Sequence, residues 1–120
     1  MNWIAIFIGG GLGSLLRFGI SMGLKSFQLT LPIATLTANI VACIVFAITL
    51  FVYKNNATLS ENYKLLILTG FCGGLSTFST FSYETMELLK AGNYMWAGIN
   101  VIINIVICFS CFAFISVSKQ

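Results

Sequence analysis

The chain has 120 residues, of which 58% are hydrophobic and 8% charged, with a net charge of +3. A soluble domain of this length carries roughly a quarter charged residues, so this one cannot cover itself with polar surface, and its mean hydropathy of +0.98 is that of an integral membrane protein. The scattered cations form no basic run, which argues against a nucleic-acid partner; the cysteines, Cys43, Cys72, Cys108 and Cys111, lie inside apolar segments at no metal or redox spacing, as packing residues do.

The first span is expected from about Trp3 to Leu24. No basic residue precedes it and no small-residue cleavage motif follows, so it is expected to be retained. Within it, Gly9-Gly10-x-x-Gly13-Ser14 supplies small residues that let helix backbones approach closely. Arg17 is the one charge well inside this span, and two readings stay open. It either anchors the helix end by snorkelling or helps draw anions into a vestibule.

The second span is expected from Pro32, a good first-turn residue, to about Val52. Asn39 lies about two turns in, where its carboxamide needs partners; it either bonds a neighbouring helix or offers its NH₂ to an anion. After the polar Lys54–Asn62 stretch, a third span from about Tyr63 to Leu89 exceeds the roughly 20 residues that a straight crossing needs. Its centre reads Thr69 to Phe81, TGFCGGLSTFSTF, with adjacent glycines and a cluster of hydroxyls. This composition predicts a helix broken near residues 73–77, at a place buried in protein or lining a polar cavity. Phe78 and Phe81, three apart and flanked by Ser79 and Thr80, could hold an anion against the positive edges of their rings. Glu84 and Glu87 fall near the span's end, and no acid occupies the middle of any span, which weighs against a proton-coupled carrier. Gly92-Asn93 makes a short turn, and the fourth span is expected from about Met95 to Val117. There Asn100, Asn104 and Cys108 form a narrow polar stripe that either glues helices or lines a pore.

The expected architecture is one all-α membrane domain over residues 1–120, with four transmembrane helices. An even number of spans puts Lys54, Lys64 and Lys119 on one side and Lys25 and Lys90 on the other, with Arg17 joining the latter if it snorkels. Such a balance provides no bias for insertion, which points to dual topology and an antiparallel dimer. Four short spans also make too thin a bundle to enclose a watery path alone.

The motifs resemble those of the bacterial fluoride channels, the CrcB/Fluc family, over all four helices. The matching residues are Gly9-Gly10-x-x-Gly13-Ser14-x-x-Arg17-Phe18, then Pro32-x-x-Thr35-Leu36-x-x-Asn39. The third match is Thr69-Gly70-Phe71-x-Gly73-Gly74-x-Ser76-Thr77-Phe78-Ser79-Thr80-Phe81, followed by Glu84. The resemblance implies passive, fluoride-selective export across the bacterial plasma membrane, by an antiparallel homodimer with two pores. It implies a structural Na⁺ at the dimer interface on the backbone carbonyls of Gly73 and Ser76. It assigns the pore to Asn39, Phe78 and Phe81; donors around Ser79 and Thr80 are expected to join them, with Arg17, Glu84, Asn100, Asn104 and Cys108 as further pore or vestibule positions. Ser76 stands where Thr is usual, and Ala34, Ala38 and Ala42 replace Gly, Val and Gly. No enzymatic activity is expected. One competing reading is a small dual-topology multidrug exporter, but such exporters need a membrane-embedded Glu in the first helix, and no acid precedes Glu61. Another is one half of a heterodimeric channel.

Overall fold

A computed structural model describes residues 2–27, 30–55 and 60–118, all of whose regular structure is helical. The expected positions at Lys119 and within the polar loop at 56–59 lie outside the described residues. Four helical stretches are long and apolar enough to cross a membrane. The first is α1 (Asn2–Gly23) and the second α2 (Ile33–Asn55). Pro32 sits one residue ahead of α2, where its carbonyl accepts the first helical bond from the Leu36 amide at 3.3 Å. The third, Glu61–Lys90, is composite. It comprises α3 (Glu61–Lys64), a π-wound stretch (Leu65–Cys72), α4 (Gly73–Leu75), an extended pair at Ser76-Thr77, and α5 (Phe78–Lys90). The fourth is α6 (Tyr94–Ser118).

The break falls where the glycines and hydroxyls place it; the π-wound stretch ahead of it was not foreseen. Apolar residues surround that segment on all sides, so its hydropathy carries no phase from which a wider helical turn could be read.

The core is built on close backbone approach. Gly9 and Gly13 of α1 are buried against the third span, and Gly70 and Gly74 face them. A Cβ on Gly9 would collide with the Leu66 carbonyl, one on Gly13 with the Phe71 carbonyl, and one on Gly74 with the Gly10 carbonyl. This is small-residue packing of the kind membrane helices use where lipid supplies no hydrophobic drive between them. On the other side of the third span, Ala38 and Ala42 of α2 pack with Cys72 and Leu75 as the buried cluster. The alanines at these positions thus keep α2 close to the break. α5 ends in a Schellman turn: the Gly92 amide reaches the Leu89 carbonyl and the Asn93 amide the Leu88 carbonyl. Gly92 has φ +82°, which favours a residue without Cβ there and lets α6 turn back against α5.

The molecule measures 51 × 34 × 21 Å. Its thinnest dimension is about two helix diameters, so the four spans form a slab about two helices thick. Phe78, in mid-span, is 79% exposed on it.

Candidate functional site

The break rewires the backbone. Ser76 (φ −76°, ψ 154°) and Thr77 (φ −151°, ψ 119°) are extended, so the bonds that would continue the helix are redirected. The Thr77 amide, which in a helix would bond the Gly73 carbonyl, donates to Asn39 Oδ1 at 2.9 Å. The Thr80 amide, which would bond the Ser76 carbonyl, donates to Thr77 Oγ1 at 3.1 Å, making Thr77 the N-cap of α5. The carbonyls of Gly73 and Ser76 are thereby released. The Gly74 carbonyl is taken by Arg17, whose Nε donates to it at 3.1 Å. Gly73 is exposed, with nothing within 4 Å of where a Cβ would stand.

Asn39 is also the start of a row of amides. Its Nδ2 donates to Asn104 Oδ1 at 3.2 Å. Asn104 Nδ2 donates both to the Asn100 carbonyl at 2.8 Å and to Asn100 Oδ1 at 3.0 Å. Asn100 Nδ2 donates to Thr85 Oγ1 at 2.9 Å, and Thr85 donates to the Phe81 carbonyl at 2.8 Å. Every link runs the same way, from the Thr77 N–H to the Phe81 C=O. Asn100 and Asn104 are buried, so this satisfaction is what makes them tolerable there.

A cavity of about 280 Å³ opens beside the break, and Asn39, Phe78, Phe81, Asn104 and Cys108 all line it. The two phenyl rings stand 5.7 Å apart between centroids and are tilted by 44°, so they are not stacked face to face. Asn100 is 1% exposed and lies behind this lining. Both hydrogens of the Asn104 amide are spent on Asn100, so Asn104 offers the cavity no donor.

A second cavity, of about 170 Å³, brings together Arg17, Thr35, Thr80 and Glu84. Arg17 is therefore turned back toward the break, not snorkelled outward to the helix end, in keeping with the N-terminal lean of helical side chains. Glu84 is half-buried, faces the Thr35 hydroxyl, and has no hydrogen-bond partner for Oε1 among the described residues. Glu84 also lines a neighbouring cavity of about 260 Å³ with Pro32 and Glu87. Glu87 itself is exposed and pairs with Lys90 at 3.7 Å. Ser79 is exposed, shares a hydrogen bond with the Thr77 hydroxyl, and lies outside the cavity of the phenylalanines.

The family model described as CrcB-like protein, Camphor Resistance (CrcB), matches residues 4–116. The chain belongs to the CrcB family. Among its relatives are proteins named fluoride-specific ion channel FluC. That of Klebsiella pneumoniae is 48% identical over 101 residues, 84% of this chain and 80% of the relative. That of Serratia proteamaculans is 43% identical over 102 residues, 85% of this chain and 80% of the relative. The FluC 1 of Yersinia pseudotuberculosis is 42% identical over the same shares.

In this CrcB chain Asn39, Phe78, Phe81, Asn104 and Cys108 share one cavity, Arg17, Thr80 and Glu84 a second, and Asn100 lies behind the first. Sequence reasoning missed Thr85 and the partner of Arg17. Thr85 sits at the i+4 position from Phe81, a spacing at which a hydroxyl can bond the carbonyl one turn back. That pattern is visible in the sequence; the carboxamide waiting on α6 is not.

Proposed function

We propose that the chain is the subunit of a fluoride-selective channel in the bacterial plasma membrane, carrying fluoride passively out of the cytoplasm. The observation that carries this reading is the cavity that brings Phe78 and Phe81 together with the Asn39 amide, next to a capped helix break. Fluoride is small and strongly hydrated, so a path for it must return hydrogen-bond donors and positive ring edges for the water it sheds. The names of the relatives supply the identity of the ion.

The working unit is an antiparallel homodimer with two pores. In support, the slab is only about two helices thick, and Phe78 is exposed in mid-span. The lysine balance is also nearly even: with Arg17 held at the break, three lysines face two. The carbonyls of Gly73 and Ser76 fit a hard cation, since both have lost their helical donors and Gly73 opens on an uncovered surface. Two carbonyls from each of two copies would hold one Na⁺, which would fix the crossing of the two broken helices and add positive potential midway.

Liposomes containing the purified chain should release fluoride far faster than chloride, and Phe81→Ile should slow fluoride release while the dimer still elutes intact. Equal release of the two anions would refute selectivity. No release at all from the chain alone, with release restored by a related subunit, would favour a heterodimeric channel.

A further inference from the structure

The row of amides has a property that the pore assignment does not use. A carboxamide can turn over by 180°, exchanging its oxygen and NH₂ at almost no cost in shape. An Asn39 turned that way would present a lone pair to an anion. Several groups in the row can act in one sense only. The Thr77 N–H can only donate, so it requires the Asn39 oxygen. The Asn100 carbonyl can only accept, so it requires the Asn104 NH₂ and leaves Asn104 Oδ1 toward Asn39. The Thr85 hydroxyl has given its hydrogen to the Phe81 carbonyl, so it accepts from Asn100 and fixes Asn100 Oδ1 toward Asn104. Each amide is thus locked from both ends, and the locks are on the backbone.

We infer that Asn104, backed by Asn100 and Thr85, is a positioning residue that keeps the second N–H of Asn39 turned into the cavity that Phe78 and Phe81 line. Asn104 offers no donor to the anion itself. It acts by taking one N–H of Asn39 and so, together with the Thr77 N–H on the Asn39 oxygen, fixing the plane and sense of the amide that does. This rests on the channel reading above.

The test compares Asn104→Leu, which keeps the branched shape and removes the acceptor and donors, with Asn104→Ser, whose hydroxyl can both accept from Asn39 and donate to Asn100. Fluoride and chloride efflux from liposomes are measured for each, together with elution as a dimer. Asn104→Leu should lower the fluoride-to-chloride ratio by roughly tenfold or more, the scale of one oriented hydrogen bond to a charged group. Asn104→Ser should hold most of the wild-type ratio. A wild-type ratio in Asn104→Leu overturns the inference, as does an equal loss in both variants, which would mark a packing role. If Asn104→Leu does not elute as a dimer, Thr85→Val carries the test from behind the cavity lining. It should reduce the ratio by a smaller factor, and an unchanged ratio overturns the inference. A wild-type chain that passes no fluoride would instead sink the channel reading.

Discussion

Gly13→Ala should loosen the whole break from a distance. The added methyl would fall on the Phe71 carbonyl and within 2.8 Å of the Leu75 amide, both backbone atoms that cannot swing aside as a side chain would. Ordinary contact begins near 3.4 Å, so α1 and the third span must part by more than the roughly half ångström that the Leu75 amide alone requires. Overpacking of this kind costs about 1–3 kcal/mol, which is a roughly 5- to 150-fold shift in the folded-to-unfolded ratio. Gly11→Ala is the matched control, since nothing lies within 4 Å of its Cβ position. Denaturant titration of both variants in detergent micelles, followed by tryptophan fluorescence, should give a lower midpoint for Gly13→Ala and an unchanged one for Gly11→Ala. Equal midpoints would refute the argument that backbone contact at this crossing holds the third span in place.

Thr77→Val removes the cap of α5 and should cost about 1 kcal/mol, whereas Thr77→Ser keeps the oxygen and should cost little. Amide exchange in the first turn of α5 would report it, with faster exchange at Thr80 in the valine variant alone. Gly92→Ala forces a Cβ into a left-handed residue and should destabilise by roughly 1 kcal/mol, read as a lower melting temperature with fluoride selectivity intact. Cys43 and Cys108 both line the cavity of the phenylalanines. A small thiol-directed reagent such as methyl methanethiosulfonate should therefore inhibit fluoride release, and the Cys43→Ala/Cys108→Ala double variant should resist it. Equal inhibition of the double variant would remove the thiols from the pathway.

Much of this arrangement was readable from residue type alone. Four apolar stretches of spanning length give the helices, and the Gly73-Gly74 pair with its hydroxyls gives the break, because composition acts locally there. Pairings of side chains across helices were not readable. Arg17 has two plausible directions on an isolated helix, and only the Gly74 carbonyl, freed by the break, decides between them. The stripe of Asn100, Asn104 and Cys108 reads equally as pore or glue. The structure divides it: Cys108 faces the cavity, Asn104 sits at its edge with both hydrogens spent, and Asn100 is buried behind. Glu84 was placed by its distance from the span's end, whereas the packing of α2 against α5 turns it inward toward Thr35.

The two extended residues at Ser76-Thr77 also separate charge. A helix carries roughly half a positive charge at its start and half a negative one at its end. The third span therefore ends one helix and begins another at the same depth, so two opposite poles lie a few ångströms apart in what lipid would otherwise make a featureless dielectric. The positive pole is the start of α5, whose first turn holds Phe78 and Phe81. The negative pole is the end of α4 and its C-cap, where the carbonyls of Gly73 and Ser76 have lost their helical donors. A single uninterrupted helix would place both poles at the membrane surfaces, where water screens them. Interrupting it moves both to mid-span, away from that screening, where each pole attracts charge of the opposite sign.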